Sequence, residues 1–233
     1  MSASVTPRKY GFGAEAYKVF LRLRFHLFQR HRYNRLALEW VGGVPLVVLP
    51  GVFNPALFFS SEFFVQSFAE KIPAGATVLD LGTGSGVGAV VAARWAARVV
   101  AVDVNPAAVR CARLNAILNG VDNRVEVREG DLFAPVAGEQ FDVVLFNPPY
   151  ISGSPKNDLE KAFFSTGLER RFAEELHAHL KPSGYALVIL SDISVHFEVA
   201  FVQALQEAGF SVEIVCQKFL PHERLTIYQT CLR

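Results

Sequence analysis

The segment Asn147-Pro148-Pro149-Tyr150 combines residue types that could hold a ligand in a fixed orientation. It follows the mostly apolar run 141–146, which has the character of a buried strand. The Asn147 side-chain oxygen and the Pro148 carbonyl oxygen can accept hydrogen bonds, and the prolines restrict the backbone that carries them. Tyr150 adds a ring that could lie against a planar group. The segment is therefore either a rigid binding element for N–H groups or a simple proline turn.

A glycine-rich loop follows another apolar run, within residues 78–88. Its G-x-G-x-G spacing is not the dinucleotide fingerprint, which would need glycine where Val87 stands, and no Gly-Lys-Ser/Thr of a P-loop is present. Glycines at the end of a strand let the backbone approach a ligand closely. The candidate site residues of this loop are Asp80, Gly82, Thr83, Gly84 and Gly86.

Two further acids, Asp103 and Asp131, each follow a predicted strand. The carboxyl ends of parallel strands open on one crevice, so we expect both acids to lie near Asp80. A single aspartate at such a place could instead be a helix N-cap. Three acids after three successive strands favour a ligand site, to which the neighbouring residues Val104 and Leu132 are also assigned.

The elements that must position these residues are visible in the sequence pattern. From residue 77 onward, short β-branched runs alternate with amphipathic segments, as in a parallel sheet covered by helices. The last two runs, 211–217 and 225–231, are close enough to form a hairpin. We predict an α/β fold with a seven-stranded, mostly parallel Rossmann-like sheet, helices on both faces and an antiparallel C-terminal hairpin. Helices are predicted over residues 57–71, 86–96, 106–119, 159–180 and 195–208.

Residues 1–56 are predicted to form a small extension ahead of a main domain, residues 57–233. Residues 14–31 have the spacing of an amphipathic helix, and 35–50 indicate a β-hairpin around two adjacent glycines. Residues 1–35 carry eight lysines and arginines and one glutamate, although the whole chain has a formal net charge of +1. A basic arm of this kind is typical either of contact with nucleic acid or of a solvated helix face.

Composition narrows the remaining function classes. The three cysteines and six histidines show no metal-ligand or disulfide spacing, so no metal is expected and the reduced cytoplasm is the predicted location. The apolar stretch 44–59 is interrupted by three prolines, so it is not expected to span or bind a membrane. No G-x-S-x-G elbow supports a hydrolase.

The stretches "VLDLGTGSG", "VVAVDVN", "VREGDLF" and "NPPY" together resemble class I S-adenosylmethionine-dependent methyltransferases, over about residues 75–233. The "NPPY" motif makes the chain similar to the release-factor glutamine (HemK-like) enzymes of the methyltransferase small domain family. The resemblance implies S-adenosyl-L-methionine as cofactor. It also implies that Asp103 binds the ribose hydroxyls, that Asp131 and Leu132, with Phe133 as a ring neighbour, bind the adenine, and that Asp80 and the glycine loop face the methionine end.

In that family the "NPPY" motif marks methylation of a nitrogen conjugated to a planar group. Such a nitrogen is a poor nucleophile, because its lone pair is delocalised into the carbonyl or ring. The site should therefore hold the N–H groups and direct the lone pair at the methyl carbon. Asn147, which also borders the cofactor, and the Pro148 carbonyl are expected to accept these N–H groups, and Tyr150 is expected to lie against the planar group.

Two acceptor classes remain open. The first is a glutamine of a peptide release factor, because residues 52–64, "VFNPALFFSSEFF", resemble the segment ahead of the glycine loop in short release-factor methyltransferases. Residues 163–184 occupy the place of the Gly-Gly-x-x-Gly segment of those enzymes but keep only Gly167 of it. The alternative is N6 of adenine or N2 of guanine in ribosomal or transfer RNA, with the basic arm and its phenylalanines contacting phosphates and bases. Either partner could be ribosome-associated. A non-catalytic cofactor-binding subunit ranks below both, since Asn147 and the glycines are intact.

Overall fold

The computed structural model describes residues 35–152, 159–221 and 223–233. The predicted amphipathic helix, residues 14–31, lies outside the described residues together with most of the basic arm, so both stay predictions. The strands are β1 (Ala37–Val41), β2 (Val44–Val48), β3 (Thr77–Leu81), β4 (Arg98–Asp103), β5 (Val125–Glu129), β6 (Phe141–Phe146), β7 (Ile151–Ser152), β8 (Phe164–Ser165), β9 (Leu180–Ser191), β10 (Phe210–Leu220) and β11 (Glu223–Leu232).

The described residues form five α-helices, and four of them agree with the predicted positions within a few residues. The exception is the predicted helix 159–180, which begins only at residue 168. Gly167 precedes it in the left-handed conformation (φ +67°), which interrupts the helical backbone, and Glu160–Ala162 form a separate 3-10 turn. The helices are α1 (Phe59–Phe68), α2 (Val87–Ala92), α3 (Pro106–Leu118), α4 (Leu168–His179) and α5 (Val195–Glu207).

Seven of the strands form one sheet in the order β10-β11-β9-β6-β3-β4-β5. The five strands from β9 to β5 are parallel, whereas β11 runs antiparallel to both of its neighbours. The predicted fold class, including the antiparallel C-terminal hairpin, is confirmed. The chain order reverses between β3 and β6, and in open α/β sheets the ligand crevice lies at such a reversal, beyond the carboxyl ends of the strands.

The sheet separates two hydrophobic cores. In β6, Val143 and Leu145 belong to one core and Val144 and Phe146 to the other, because successive side chains of a strand point to opposite faces. The first core includes side chains of α1, α2 and α3, and the second includes those of α4 and α5. Both faces are thus covered, as the alternation of short β-branched runs with amphipathic segments indicated.

The predicted hairpin forms from β1 and β2 and is attached to α3. The Asn115 side chain accepts a hydrogen bond from Val47 N (2.7 Å) and donates one to Val47 O (2.7 Å). Asn119 donates to Pro45 O (3.0 Å). These amides take the place of a neighbouring strand along β2 and hold the hairpin against the main body. The predicted domain boundary at residue 56 stays a prediction.

Candidate active site

A cavity of about 660 Å³ lies at the carboxyl ends of the parallel strands. This volume is in the range of small-molecule and cofactor sites. The loops after β3, β4, β5 and β6 line it, together with residues around the start of α1 and the start of β11. Every predicted site residue lines the cavity except Gly86 and Phe133.

The glycine loop bends sharply between β3 and α2. Gly82 and Gly84 both have left-handed backbones (φ +61° and +56°) and border the cavity. Gly86 instead faces α3, where an added Cβ would stand 2.8 Å from Ala112 Cα. The structure thus places Gly86 at the contact between α2 and α3 and apart from the cavity wall. That distinction was not visible in the sequence, because all three glycines share one spacing.

Asp80, at the end of β3, is buried at the base of this loop. Its Oδ2 accepts hydrogen bonds from Thr83 Oγ1 (2.6 Å) and Ala89 N (2.9 Å). Burial raises the pKa of Asp80 to about 6, against the lowering effect of these two bonds, and the nearby charge of Asp103 raises it slightly further. Gly88, which was not predicted, is required here because an added Cβ would lie 2.8 Å from Asp80 Oδ1. The cavity therefore has a carboxylate that a bound cation would stabilise.

We expect Asp80→Asn to raise the thermal stability of the ligand-free protein at pH 7. The folded-state pKa of about 6 exceeds the ordinary 3.8, so the wild-type protein loses stability as pH rises between these values, and the loss persists above them. The difference corresponds to about 3 kcal/mol. Thermal unfolding of both proteins from pH 4 to pH 8 should show a difference in melting temperature that widens up to about pH 6. Parallel curves would contradict the proposed charge cost at Asp80.

Asp103 ends β4 with its carboxylate held by two backbone N–H groups. Oδ2 accepts from Gly84 N (2.8 Å) and Oδ1 accepts from Asn105 N (2.9 Å). The first bond ties the glycine loop to the neighbouring strand, and together they fix the direction of the carboxylate. Val104, the next residue, is 37% exposed and lines the cavity beside it.

Asp131 and Leu132 lie in the loop after β5 and line the cavity. Asp131 forms an exposed ion pair with Arg171 of α4 (2.9 Å), a residue that the sequence did not indicate. Leu132 has a left-handed backbone (φ +45°), which is unfavourable for a side chain with a Cβ and is often found at functional sites. The prediction of Phe133 as a ring neighbour of the adenine is wrong. The Phe133 side chain is buried, stacks on His179 (4.7 Å between ring centroids) and does not line the cavity.

The "NPPY" segment begins immediately after β6. The Tyr150 hydroxyl donates a hydrogen bond to Asn147 Oδ1 (2.5 Å), so Tyr150 holds the Asn147 side chain in one orientation. Burial raises the pKa of Tyr150 well above its usual range, and the charge of Glu223 raises it further, against a hydrogen bond with Ser60. Tyr150 thus remains a donor at ordinary pH. Asn147, Pro148 and Tyr150 all line the same cavity as the glycine loop.

Several wall residues were not predicted individually. Phe53 stacks on Phe58 (4.8 Å) and contacts Phe163 edge-on (5.5 Å), forming an aromatic cluster at the cavity. Phe53 and Phe58 lie in residues 52–64, the segment that resembles short release-factor methyltransferases. That resemblance was the only feature of the sequence that indicated them. Ile193 and Glu223 come from distant parts of the chain and had no local signal.

Within the described ranges, no group of three or more His, Cys, Asp or Glu side chains is arranged to hold a metal ion. In the same part of the chain, no helix combines the length and apolar character needed to cross a membrane.

Sequence comparisons relate this chain to known methyltransferases. Residues 43–219 match the model of the methyltransferase small domain. A protein of Methanocaldococcus jannaschii with the provisional name protein N5-glutamine methyltransferase is 32% identical over 196 residues, which are 80% of this chain and 95% of that protein. The release factor glutamine methyltransferase of Geobacter sulfurreducens is 40% identical over 120 residues, which are 51% of this chain and 40% of that enzyme. The match thus spans less than half of that bacterial relative.

Solved structures share the fold. Ribosomal protein L11 methylase of Lactobacillus delbrueckii subsp. bulgaricus has a TM-score of 0.58 and 22% identity, covering 78% of this chain and 82% of that chain. Methanocaldococcus jannaschii Trm5 in complex with adenosine has a TM-score of 0.63 and 15% identity, covering 84% of this chain and 55% of that chain. Identities this low support the fold alone.

Because the family model covers most of the chain, this protein belongs to the methyltransferase small domain family and is a methyltransferase.

Proposed function

We propose that this protein transfers a methyl group from S-adenosyl-L-methionine to the side-chain amide nitrogen of a glutamine in a peptide release factor. The observation that carries the proposal is the Asn147 amide, held by the Tyr150 hydroxyl (2.5 Å) in the same cavity as the glycine loop. An oxygen acceptor fixed at this place suits an amide N–H group. The archaeal relative named for protein N5-glutamine methylation supports the choice of amide over nucleobase.

The cavity residues fit the cofactor. Asp103 is directed by two backbone N–H groups, and a carboxylate so placed suits the two ribose hydroxyls. The buried Asp80, with Gly88 closely packed against it, suits the positively charged methionine end. Asp131 and Leu132 remain assigned to the adenine. When bound, the cofactor supplies a methyl group made reactive by its positively charged sulfur.

The chain's own residues supply alignment at the acceptor. Asn147 Oδ1 and the Pro148 carbonyl would accept the two N–H groups of the amide, turning the nitrogen lone pair toward the methyl carbon. Tyr150 holds Asn147, and the two prolines limit movement of the backbone. Alignment of this kind can lower a barrier by about 7–11 kcal/mol in favourable cases.

The protein acceptor is favoured over RNA by the extent of the sequence match. The archaeal relative is matched over 95% of its length, whereas a solved tRNA m1G37 methyltransferase of Methanocaldococcus jannaschii is similar at 16% identity, which concerns the fold alone. Most of the basic arm, which motivated the RNA alternative, lies outside the described residues. Release factors act at the ribosome, so this proposal also places the protein in the cytoplasm.

The test is methylation of a purified release factor in the presence of tritium-labelled cofactor. We expect label in protein, and mass spectrometry should place one methyl group on the glutamine of the Gly-Gly-Gln peptide. A release factor with that glutamine replaced by asparagine is the matched control and should remain unlabelled. Total RNA is assayed in parallel, and label in RNA without label in the release factor would overturn the proposal.

A further inference from the structure

Glu223 places a carboxylate in the cavity wall that the proposed function does not yet use. It is the first residue of β11 and borders the cavity together with Ile193 and Tyr150. Its charge contributes to the raised pKa of Tyr150, the residue whose hydroxyl holds Asn147. Glu223 therefore lies on the acceptor side of the cavity, near the "NPPY" segment.

The Glu223 side chain is held in place by Ser191, at the end of β9. The Ser191 hydroxyl, which is fully buried, donates a hydrogen bond of 2.6 Å to Glu223 Oε1. Among the described residues, no hydrogen bond is made to the second oxygen, Oε2. One oxygen thus fixes the carboxylate, and the other remains able to accept a proton.

In the described part of the chain, no positively charged side chain pairs with the Glu223 carboxylate. The adjacent Arg224 is engaged elsewhere: its guanidinium donates to Glu198 of α5 (3.1 Å), and its backbone N–H donates to Asp192 (2.7 Å). Burial raises the pKa of Glu223 above its ordinary value, Ser191 opposes this, and the charge of Asp192 adds to it. The charged or titratable described groups that face this region are Tyr150, Asp192, Glu198, Arg224 and Tyr228.

The proposed reaction needs a proton acceptor at this side of the cavity. An amide nitrogen that gains a methyl group becomes positively charged and strongly acidic, so it must lose a proton. A carboxylate nearby favours the developing positive charge and can take that proton. Neither the Asn147 amide nor the protonated Tyr150 is a base strong enough for this step.

Building on the function proposed above, we propose that Glu223 receives the proton that the acceptor nitrogen loses during methyl transfer. The nitrogen lone pair forms the bond to the methyl carbon, and the carbon–sulfur bond breaks with its electron pair remaining on sulfur. The N–H proton passes to the Glu223 carboxylate and then to solvent, which restores the charged side chain.

The first test is Glu223→Gln, which keeps the shape and the bond from Ser191 but removes the basic oxygen. We expect turnover on the release factor to fall by about 10²-fold, with unchanged cofactor affinity by calorimetry. The acidic limb of the pH–rate profile, which reports protonation of Glu223, should disappear. Glu213→Gln, an exposed glutamate of β10, is the matched control and should behave as wild type.

The second test moves the titration of Glu223 instead of abolishing it. Ser191→Ala removes the hydrogen bond that lowers the Glu223 pKa, so the acidic limb should shift to higher pH. Carbon-13 NMR of labelled glutamate, assigned with Glu223→Gln, should show the same shift in the ligand-free protein, independently of activity. Thermal unfolding confirms that the variants remain folded.

Three results would overturn this inference. The first is a Glu223→Gln variant that methylates the glutamine with the turnover and the pH–rate profile of the wild type. That result would leave the proposed function intact. Another is a Glu223 pKa at or below its ordinary 4.5 by NMR. The third is a wild-type protein that methylates no glutamine, which contradicts the proposed function and this inference together.

Discussion

Asn147→Ala is expected to lower turnover by at least ~10²-fold while leaving the affinity for S-adenosyl-L-methionine nearly unchanged. The substitution removes the oxygen that Tyr150 holds in place and that we assign to the acceptor N–H group. Cofactor contacts assigned to the loops after β3 and β4 are untouched. Calorimetry with the cofactor and initial rates at saturating cofactor measure the two effects separately. An equal loss in both would show that Asn147 has a structural or cofactor-binding role instead.

Tyr150→Phe provides a matched comparison for this variant. It keeps the ring but removes the hydroxyl that donates to Asn147, so Asn147 loses its fixed orientation but not its oxygen. We expect a loss of turnover of about 10-fold. If Tyr150 acts through Asn147, adding Tyr150→Phe to Asn147→Ala should cause little further loss. Fully additive losses would indicate that the two residues act independently.

Asp103→Ala is expected to have the opposite pattern, with cofactor affinity weakened by at least ~10²-fold. Hydrogen bonds to a charged group are each worth about 1.5–3 kcal/mol, and the carboxylate is assigned to two ribose hydroxyls. Calorimetric titration with S-adenosyl-L-methionine measures the loss. Unchanged affinity would remove Asp103 from the ribose role.

The control for Asp103 separates the ribose contact from support of the glycine loop. Asp103 also accepts the hydrogen bond from Gly84 N (2.8 Å), so the alanine variant disturbs both. Asp103→Asn keeps an oxygen for Gly84 N but loses the charge and the second acceptor. If both roles contribute, Asp103→Asn should bind the cofactor with an affinity between those of the wild type and Asp103→Ala. Wild-type affinity would show that the loss in Asp103→Ala comes from the glycine loop alone.

Much of the fold could be predicted because its signals lie close together in the chain. The strand Thr77–Leu81 begins where the alternating pattern was predicted to start, and it ends at the glycine loop. Helix α3 begins at Pro106, one residue after Asn105, whose side chain caps it through Ala107 N (2.9 Å). The helix predicted to begin at residue 159 was misplaced because amphipathic spacing does not report the left-handed backbone at Gly167.

What the sequence by itself determined was the family, the sheet and the residue types at the strand ends, because motifs and periodicity depend on neighbouring residues. Only the tertiary structure decided which side chains meet across long separations. Ser191 holds Glu223 from 32 residues away, and Arg171 pairs with Asp131 from 40 residues away. The tertiary structure also places Gly86 against Ala112, apart from the cavity. Such contacts arise from the packing of whole elements, and no local pattern in the chain encodes them.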